Sequence, residues 1–360
     1  MKSLFFRLGR YSLIRAVLLL LAVVIAVYLT VLIANMGGEL DNVRRAQIKH
    51  NVGMAMAGDE SIRQLPREQQ LALIEQEVQK ELVRVGMDRP FIERSFRYLG
   101  IALSLDLGRA EYMSSDTGSR QVRKILLERL PSTLLLFATA EFILFFVGLF
   151  MALFLSRRYG SFLDKLTIAL APTSAAPGWF YGIFLILIFA AALQLLPWGG
   201  FAQPGLTPGT LAYNLSVLRH MVLPLSAIVI GALFASIYSW RTFFLIYSSE
   251  DYVELARAKG LSSQQVERRY ILRPTLPPII TSFLLLIIGM WTGQIVLEMV
   301  FRWPGIGQLY FLAVSMSDTP VIIGVIVIYG YLLAATVFAL DFVYAIVDPR
   351  VRVEAAGGAR

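Results

Sequence analysis

The chain reads as an all-α membrane protein of six transmembrane helices with both termini cytoplasmic. Three observations predict this. Of its 360 residues 57% are hydrophobic and only 16% charged, against about 25% charged in soluble globular chains. Its mean hydropathy is +0.65. Six stretches approach or exceed the roughly 20 apolar residues needed to cross a bilayer: about 13–35, 132–155, 166–196, 220–247, 276–300 and 320–347.

Taken in order, the first stretch follows Lys2, Arg7, Arg10 and Arg15. Its charge order is that of a signal peptide, but its apolar run exceeds an h-region, so it reads as an uncleaved span. Residues 36–131 are polar and mixed in sign, and form an extracytoplasmic segment with short helices. Within it Leu71, Ile74, Val78, Leu82 and Val85 recur at helical spacing, Pro66 suits a helix start and Gly86 a stop. The third stretch is interrupted by Pro172, Pro177 and Gly178, which predicts a short helix followed by the span proper from about 177. The fifth is predicted to start at Pro277-Pro278, where missing N–H groups do no harm in a first turn. Residues 132–347 thus form a core of five spans, interrupted by a loop at 248–275, and 348–360 is a tail.

Direction follows from Lys and Arg in the short loops. The N-terminus, the 156–165 loop (Arg157, Arg158, Lys165), the 248–275 loop and the tail hold fifteen, whereas 197–219 and 301–319 hold only Arg219 and Arg302. The net charge of +8 is therefore read as loops retained on the cytoplasmic side rather than as nucleic-acid binding. There is no cysteine, and His50 and His220 are the two histidines. Thiolate chemistry is excluded, and no metal cage is expected. Gly-x-x-x-x-Gly-Lys-[Ser/Thr] does not occur, so the phosphate cradle of a P-loop ATPase is missing. An intramembrane enzyme would need a nucleophile–base or metal constellation, and none is seen. A stand-alone secondary transporter would carry several intramembrane ionisable or broken-helix elements; only Glu141 is central.

The loop between spans four and five, Glu250 to Pro274, reads as two short helices. Acids begin the first and bases end it, which complements the helix dipole. Gly260 suits the left-handed position after the helix, Ser262 and Gln265 form a capping box, and Pro274 is predicted to end the second helix. Ala256 and Ala258 are small, a surface that lets another protein approach closely. Glu254-x-Ala256-x-x-x-Gly260 resembles the Glu-Ala-Ala coupling loop of ABC-importer permeases. Leu255 stands where that loop has its second Ala, Tyr270 where its Ile stands, Leu272 matches, and the following proline is displaced to Pro274. Further stretches are similar to the dipeptide/oligopeptide (nickel) permease family: Asp251-Tyr252-Val253, Ala256-Arg257-Ala258-Lys259-Gly260-Leu261, Glu298-x-Val300-Phe301-x-x-Pro304-Gly305-x-Gly307, Leu130-Pro131-x-Thr133 and Asp348-Pro349-Arg350. Matches run from about 85 to 350. The usual Pro-Gly-Asp-Pro stretch after the first span is replaced by Met36-Gly37-Gly38-Glu39.

The resemblance implies a type I ABC-importer permease fold in a bacterial inner membrane. It implies a second homologous permease, two P-loop ATPase subunits and an extracytoplasmic solute-binding protein as partners. ATP and Mg²⁺ would be held by the ATPases, with no cofactor, metal or catalytic residue on this chain. Short peptides are the implied cargo, with nickel or oligosaccharides the alternatives. Asp251, Tyr252, Glu254, Ala256, Arg257, Ala258, Lys259, Gly260 and Leu261 would couple to the ATPase. Glu141, Glu298, Phe301, Pro304, Gly305 and Gly307 are candidates for a gate or substrate path. For Glu141 a contact with substrate and a structural hydrogen bond both remain open; Glu298 either orders the Phe301–Gly307 turn or meets substrate. Arg241 is read as snorkelling to the cytoplasmic face, His220 as an interfacial hydrogen bonder, and Trp179, Trp198 and Trp303 as an aromatic belt.

Overall fold

The computed structural model of the chain describes residues 2–35, 39–58, 62, 65–84 and 86–347. The Met36–Gly38 stretch and the Asp348–Arg350 motif lie outside the described residues. Among the described residues the regular structure is helical, apart from one isolated bridge between Arg109 and Gln121. Its helices are α1 (Lys2–Asn35), α2 (Glu39–Ala57), α3 (Arg67–Arg84), α4 (Phe91–Leu103), α5 (Val122–Arg157), α6 (Phe162–Leu170), α7 (Gly178–Leu185), α8 (Leu211–Ser248), α9 (Asp251–Ala258), α10 (Ser263–Val266), α11 (Arg273–Thr292), α12 (Ile295–Val300), α13 (Ile306–Ser315) and α14 (Thr319–Val347). Among the described residues five helices are long and apolar enough to cross a membrane, and six spans result if one bent pair counts as one. That pair is Phe162–Ala175 with Gly178–Ala192, bent by 96°. A 3₁₀ turn at Ala171–Ala175 and extended Pro177 make the bend, as the Pro172 and Pro177-Gly178 interruptions predict. A π-helical stretch, Ile186–Ala192, continues α7.

Several boundaries differ from the sequence reading. The second span's helix begins at Val122 and carries Pro131 inside it. The fourth begins at Leu211, where the Thr210 hydroxyl accepts from Tyr213 N–H at 3.2 Å, and it carries Pro224. Prolines inside apolar helices are tolerated where neighbouring helices re-satisfy the freed groups. The fifth does not start at Pro277-Pro278; both lie inside α11, which begins at Arg273. Nor is it continuous to residue 300. Gly293, with φ +60°, ends α11 and separates it from α12.

The chain divides into two compact units. One is built around Arg129–Phe311, with residues up to Ala16 and from Ala335; the other holds Val17–Glu128 and Leu312–Ala334. In the first, the core gathers Leu136, Phe137, Ala140, Leu144, Val217, Met221, Ala227, Leu297, Phe301 and Trp303. Lipid is as apolar as Leu, so helices in a bilayer gain by close packing of small residues rather than by hydrophobic exclusion. Here a Cβ on Gly231 would lie 3.0 Å from the Gly178 Cα. That approach seats α7 on α8.

In the second unit, α2 and α3 form a hairpin with its own small core of Ile48, Val78, Leu82 and Met87. Pro66 precedes α3 and Gly86, with φ +74°, follows it, as predicted. Arg94 and Tyr98 on α4 bind the Asp41 carboxylate of α2 at 2.5 and 2.9 Å. Burial opposes the charge on Arg94, but the Asp41 partner outweighs it and raises the guanidinium above its ordinary value. The Asp318 carboxylate accepts from Tyr112 and Met113 N–H at 2.9 and 3.1 Å, which pins an irregular loop to the start of α14.

Candidate functional site

The loop after α8 is built by local rules. Ser249 N–H closes α8 on the Leu245 and Ile246 carbonyls, and α9 starts after extended Glu250. The far end of α9 is a Schellman motif: Gly260 N–H donates to Arg257 C=O at 2.9 Å and Leu261 N–H to Ala256 C=O at 3.4 Å. Gly260 has φ +75°, a conformation that costs a residue with a Cβ roughly 1–2 kcal/mol. Leu261 then packs beside Ala256, the apolar contact that accompanies such a cap. Ser262 and Gln265 form the predicted capping box, with bonds of 3.4 and 3.2 Å.

The second helix does not end at Pro274. Ser263–Val266 runs through a π-helical segment, Glu267–Leu272, directly into α11. A proline within an α-helix clashes with the carbonyl four residues before it. The wider π turn just upstream redirects those carbonyls and lets the helix pass Pro274.

Val253 and Ala256 face inward against Val266, Leu261, Tyr270 and Ile271. Ala256, 2% exposed, is thus a core residue of the loop and not part of an open small-residue surface. The outward face carries Asp251, Tyr252, Glu254, Leu255, Arg257, Ala258, Lys259 and Gly260. Leu255 is 56% exposed, the large aliphatic side chain of that face. Burial, then the Glu250 charge and Tyr247, push the Tyr252 phenol up. Arg157, at the end of α5, pairs with Glu267 and ties the loop to that helix.

A second constellation gathers the other candidates. Glu298 is fully buried. Its Oε1 accepts from Thr133 Oγ1 at 2.9 Å and its Oε2 from Gln308 N–H at 2.8 Å, and the Gly307 N–H also donates to it. Thr133 Oγ1 in turn accepts from Ile306 N–H at 2.7 Å. The carboxylate therefore caps the start of α13, where unpaired N–H groups and the helix dipole favour an anion. Room for it exists because Gly305 has no side chain: a Cβ there would lie 2.4 Å from the carboxylate. Pro304 is half-buried, while Phe301, Gly305 and Gly307 are buried. The Phe301 ring lies against Gly182, and its carbonyl accepts from Gly200 N–H at 2.9 Å.

The model of the family described as "Binding-protein-dependent transport system inner membrane component" matches residues 144–353, more than half of the chain. This chain is a member of that family. A putative peptide permease protein of Brucella suis biovar 1 is 31% identical to it over 79% of this chain and 86% of its own length. The dipeptide transport system permease protein DppB of Bacillus subtilis is 29% identical over 78% and 86%. The di/tripeptide transport system permease protein DppB of Pseudomonas aeruginosa is 30% identical over 75% and 84%.

The other marked positions of the chain fall out differently. Glu141 is half-buried in α5 and has no hydrogen-bond partner among the described residues. His220 Nδ1 lies 2.7 Å from the Ser216 carbonyl one turn back. Trp198 is 63% exposed. Trp303 is not a belt residue: it is fully buried, and its Nε1–H donates to Ser132 C=O at 2.9 Å. Arg241 does not snorkel. It is buried against α6, where it binds Asp164 through two bonds, the longer 2.7 Å. Asp164 was missed in the sequence, although an acid in one apolar helix and a base in another is a readable signal for a pair. Thr133 was seen as a motif residue, but its contact with Glu298 depends on the fold.

Proposed function

We propose that this chain is a permease subunit of an ATP-binding-cassette importer for short peptides, and that α9 is its coupling helix. In this reading the fold is of type I, the termini and the 248–275 loop are cytoplasmic, and residues 36–131 face the extracytoplasmic side. A second permease completes the translocation path, two P-loop ATPase subunits hold ATP and Mg²⁺, and a solute-binding protein delivers cargo. The excess of Lys and Arg in the loops on one side supports this orientation. The relatives named as dipeptide, di/tripeptide and oligopeptide permeases support the cargo.

The observation that carries the reading is the outward face of α9. A short helix capped at one end by a Schellman motif, and followed directly by a capping box, presents Tyr252, Glu254, Leu255, Arg257 and Lys259 to solvent. Its inward face is anchored by Val253 and Ala256. A rigid, apolar-centred patch suits docking in a groove of an ATPase. Closure of the ATPase pair would push α9, rock the helices, and open the cavity outward; hydrolysis would reset it inward. The Glu298–Gly307 knot, with Phe301 across α7, would hold the shape of the outer gate.

The test is isolation of the tagged chain in mild detergent from its host, with mass spectrometry of what accompanies it, and then uptake by vesicles containing the purified assembly. A P-loop ATPase, a second permease and ATP-dependent uptake of di- or tripeptides support the proposal. Recovery of the chain alone from gently solubilised membranes overturns it. Uptake of nickel or an oligosaccharide, but no peptide, overturns the cargo.

A further inference from the structure

We propose that Asp164 and Arg241 are positioning residues that lock α6 to α8, so that the bent α6–α7 segment moves with the coupling loop as one body. The inference rests on the importer reading above. Its basis is geometric. Arg241 and Asp164 are the charged residues buried between these helices, with side chains 7% and 1% exposed. The guanidinium grips the carboxylate with Nε and one terminal nitrogen, a two-point contact that fixes orientation as well as distance. Asp164 is itself held: its Oδ2 accepts from Gly160 N–H at 2.9 Å, and Ser161 caps its N–H. Arg241 also lies over the Tyr159 ring, 5.3 Å from its centroid. The turn at 159–161 and the start of α6 are thereby fastened to α8.

What lies on either side of the pair gives it a mechanical role. Downstream of Arg241, α8 runs unbroken to Ser248 and passes at once into α9. Around it Phe244 and Ile237 pack with Ala152 and Leu155 of α5 and with Ile271 and Leu272 behind the loop. Downstream of Asp164, the chain turns through 96° into α7. There Gly178 meets Gly231 and Gly182 meets the Phe301 ring. A contiguous chain of packed groups thus joins the loop to Phe301, and the ion pair is the point at which α6 enters it. Coupling along such a chain shows as concerted motion of its ends.

The chain has no cysteine, so spin labels can be placed at Leu166→Cys on α6 and Tyr238→Cys on α8, both exposed positions, in the assembled importer with partner cysteines replaced. The expected result is one label separation in the nucleotide-free and ATP-bound states. With Asp164→Asn added, the separation becomes nucleotide-dependent, and cargo moved per ATP falls about tenfold while ATP hydrolysis persists. Should Asp164→Asn fail to assemble, Arg241→Lys keeps the charge but not the two-point grip, and the same two changes are expected. A wild-type separation that changes on ATP binding, or a single variant that stays locked and coupled, overturns the inference alone. A wild-type chain that recruits no ATPase overturns the function reading and this inference with it.

Discussion

Glu298 and Thr133 stand 165 positions apart in sequence and are joined by a 2.9 Å hydrogen bond in an interior without exposure. The same Thr133 oxygen accepts from Ile306 N–H, so one hydroxyl serves both the carboxylate and the helix that the carboxylate caps. Thr133→Val keeps the shape and removes both bonds. The loss of a charged hydrogen bond and an unsatisfied N–H should together destabilise the chain by about 2–4 kcal/mol. A thermal-shift assay on the purified chain in detergent measures this; an unchanged midpoint would remove the knot from the account of stability.

Gly305→Ala tests the same site by volume instead of by bonding. The added methyl meets the Glu298 carboxylate, so either the acid is pushed from its donors or α13 shifts. A cost of about 2 kcal/mol or more is expected, read by the same melting assay. Gly289→Ala serves as the control, because a Cβ there has nothing within 4 Å.

Leu255→Asp should leave insertion and melting untouched, since the side chain is 56% exposed. If α9 docks the ATPase as proposed, it should weaken recovery of the ATPase about tenfold or more, because a charge would replace the large apolar side chain of that face. Quantitative co-purification measures it. Retained ATPase binding would move the dock elsewhere on the loop.

Gly260→Ala should cost roughly 1–2 kcal/mol locally, because the residue must keep a left-handed backbone. Gly260→Pro should cost more, since its N–H donates to Arg257 C=O at 2.9 Å and its φ is wrong for proline. Transport per ATP should fall in that order, with both variants still inserted. Full transport by Gly260→Pro would sink the coupling assignment.

Much of the loop, and the bounds of α3, were legible in sequence because their determinants are local. Gly260, Ser262 with Gln265, and Pro66 with Gly86 each act within one helical turn, and each does so in the structure. The boundaries of the fifth span were not legible. Three prolines, at 274, 277 and 278, argue for a break by propensity, but a π turn upstream absorbs the first, and membrane helices tolerate the others. The real break falls at Gly293, the second of two glycines in the run, whereas Gly289 stays inside α11. Ala256 was read from its size as an open surface, but size does not say which face of a helix a residue takes; Val253 three positions earlier marks that face as the buried one. The Asp164–Arg241 and Glu298–Thr133 pairs needed the fold, since neither spacing nor composition says which helices meet.

The unbroken run from Ser263 through the π segment to Thr292 has a consequence for leverage. Thirty residues of helix make a rod of about 45 Å, whose near end belongs to the loop and whose far end stops at Gly293. Its helix is continuous across the π segment and the three prolines, so a push on the loop has an uninterrupted backbone path to the far end. If Gly293 is the fulcrum, a tilt of about 5° there corresponds to a stroke of about 4 Å at Ser263. The first glycine beyond the rod would then set how far a movement of the loop carries, and Glu298, a few residues past it, would be the fixed bearing against which it turns.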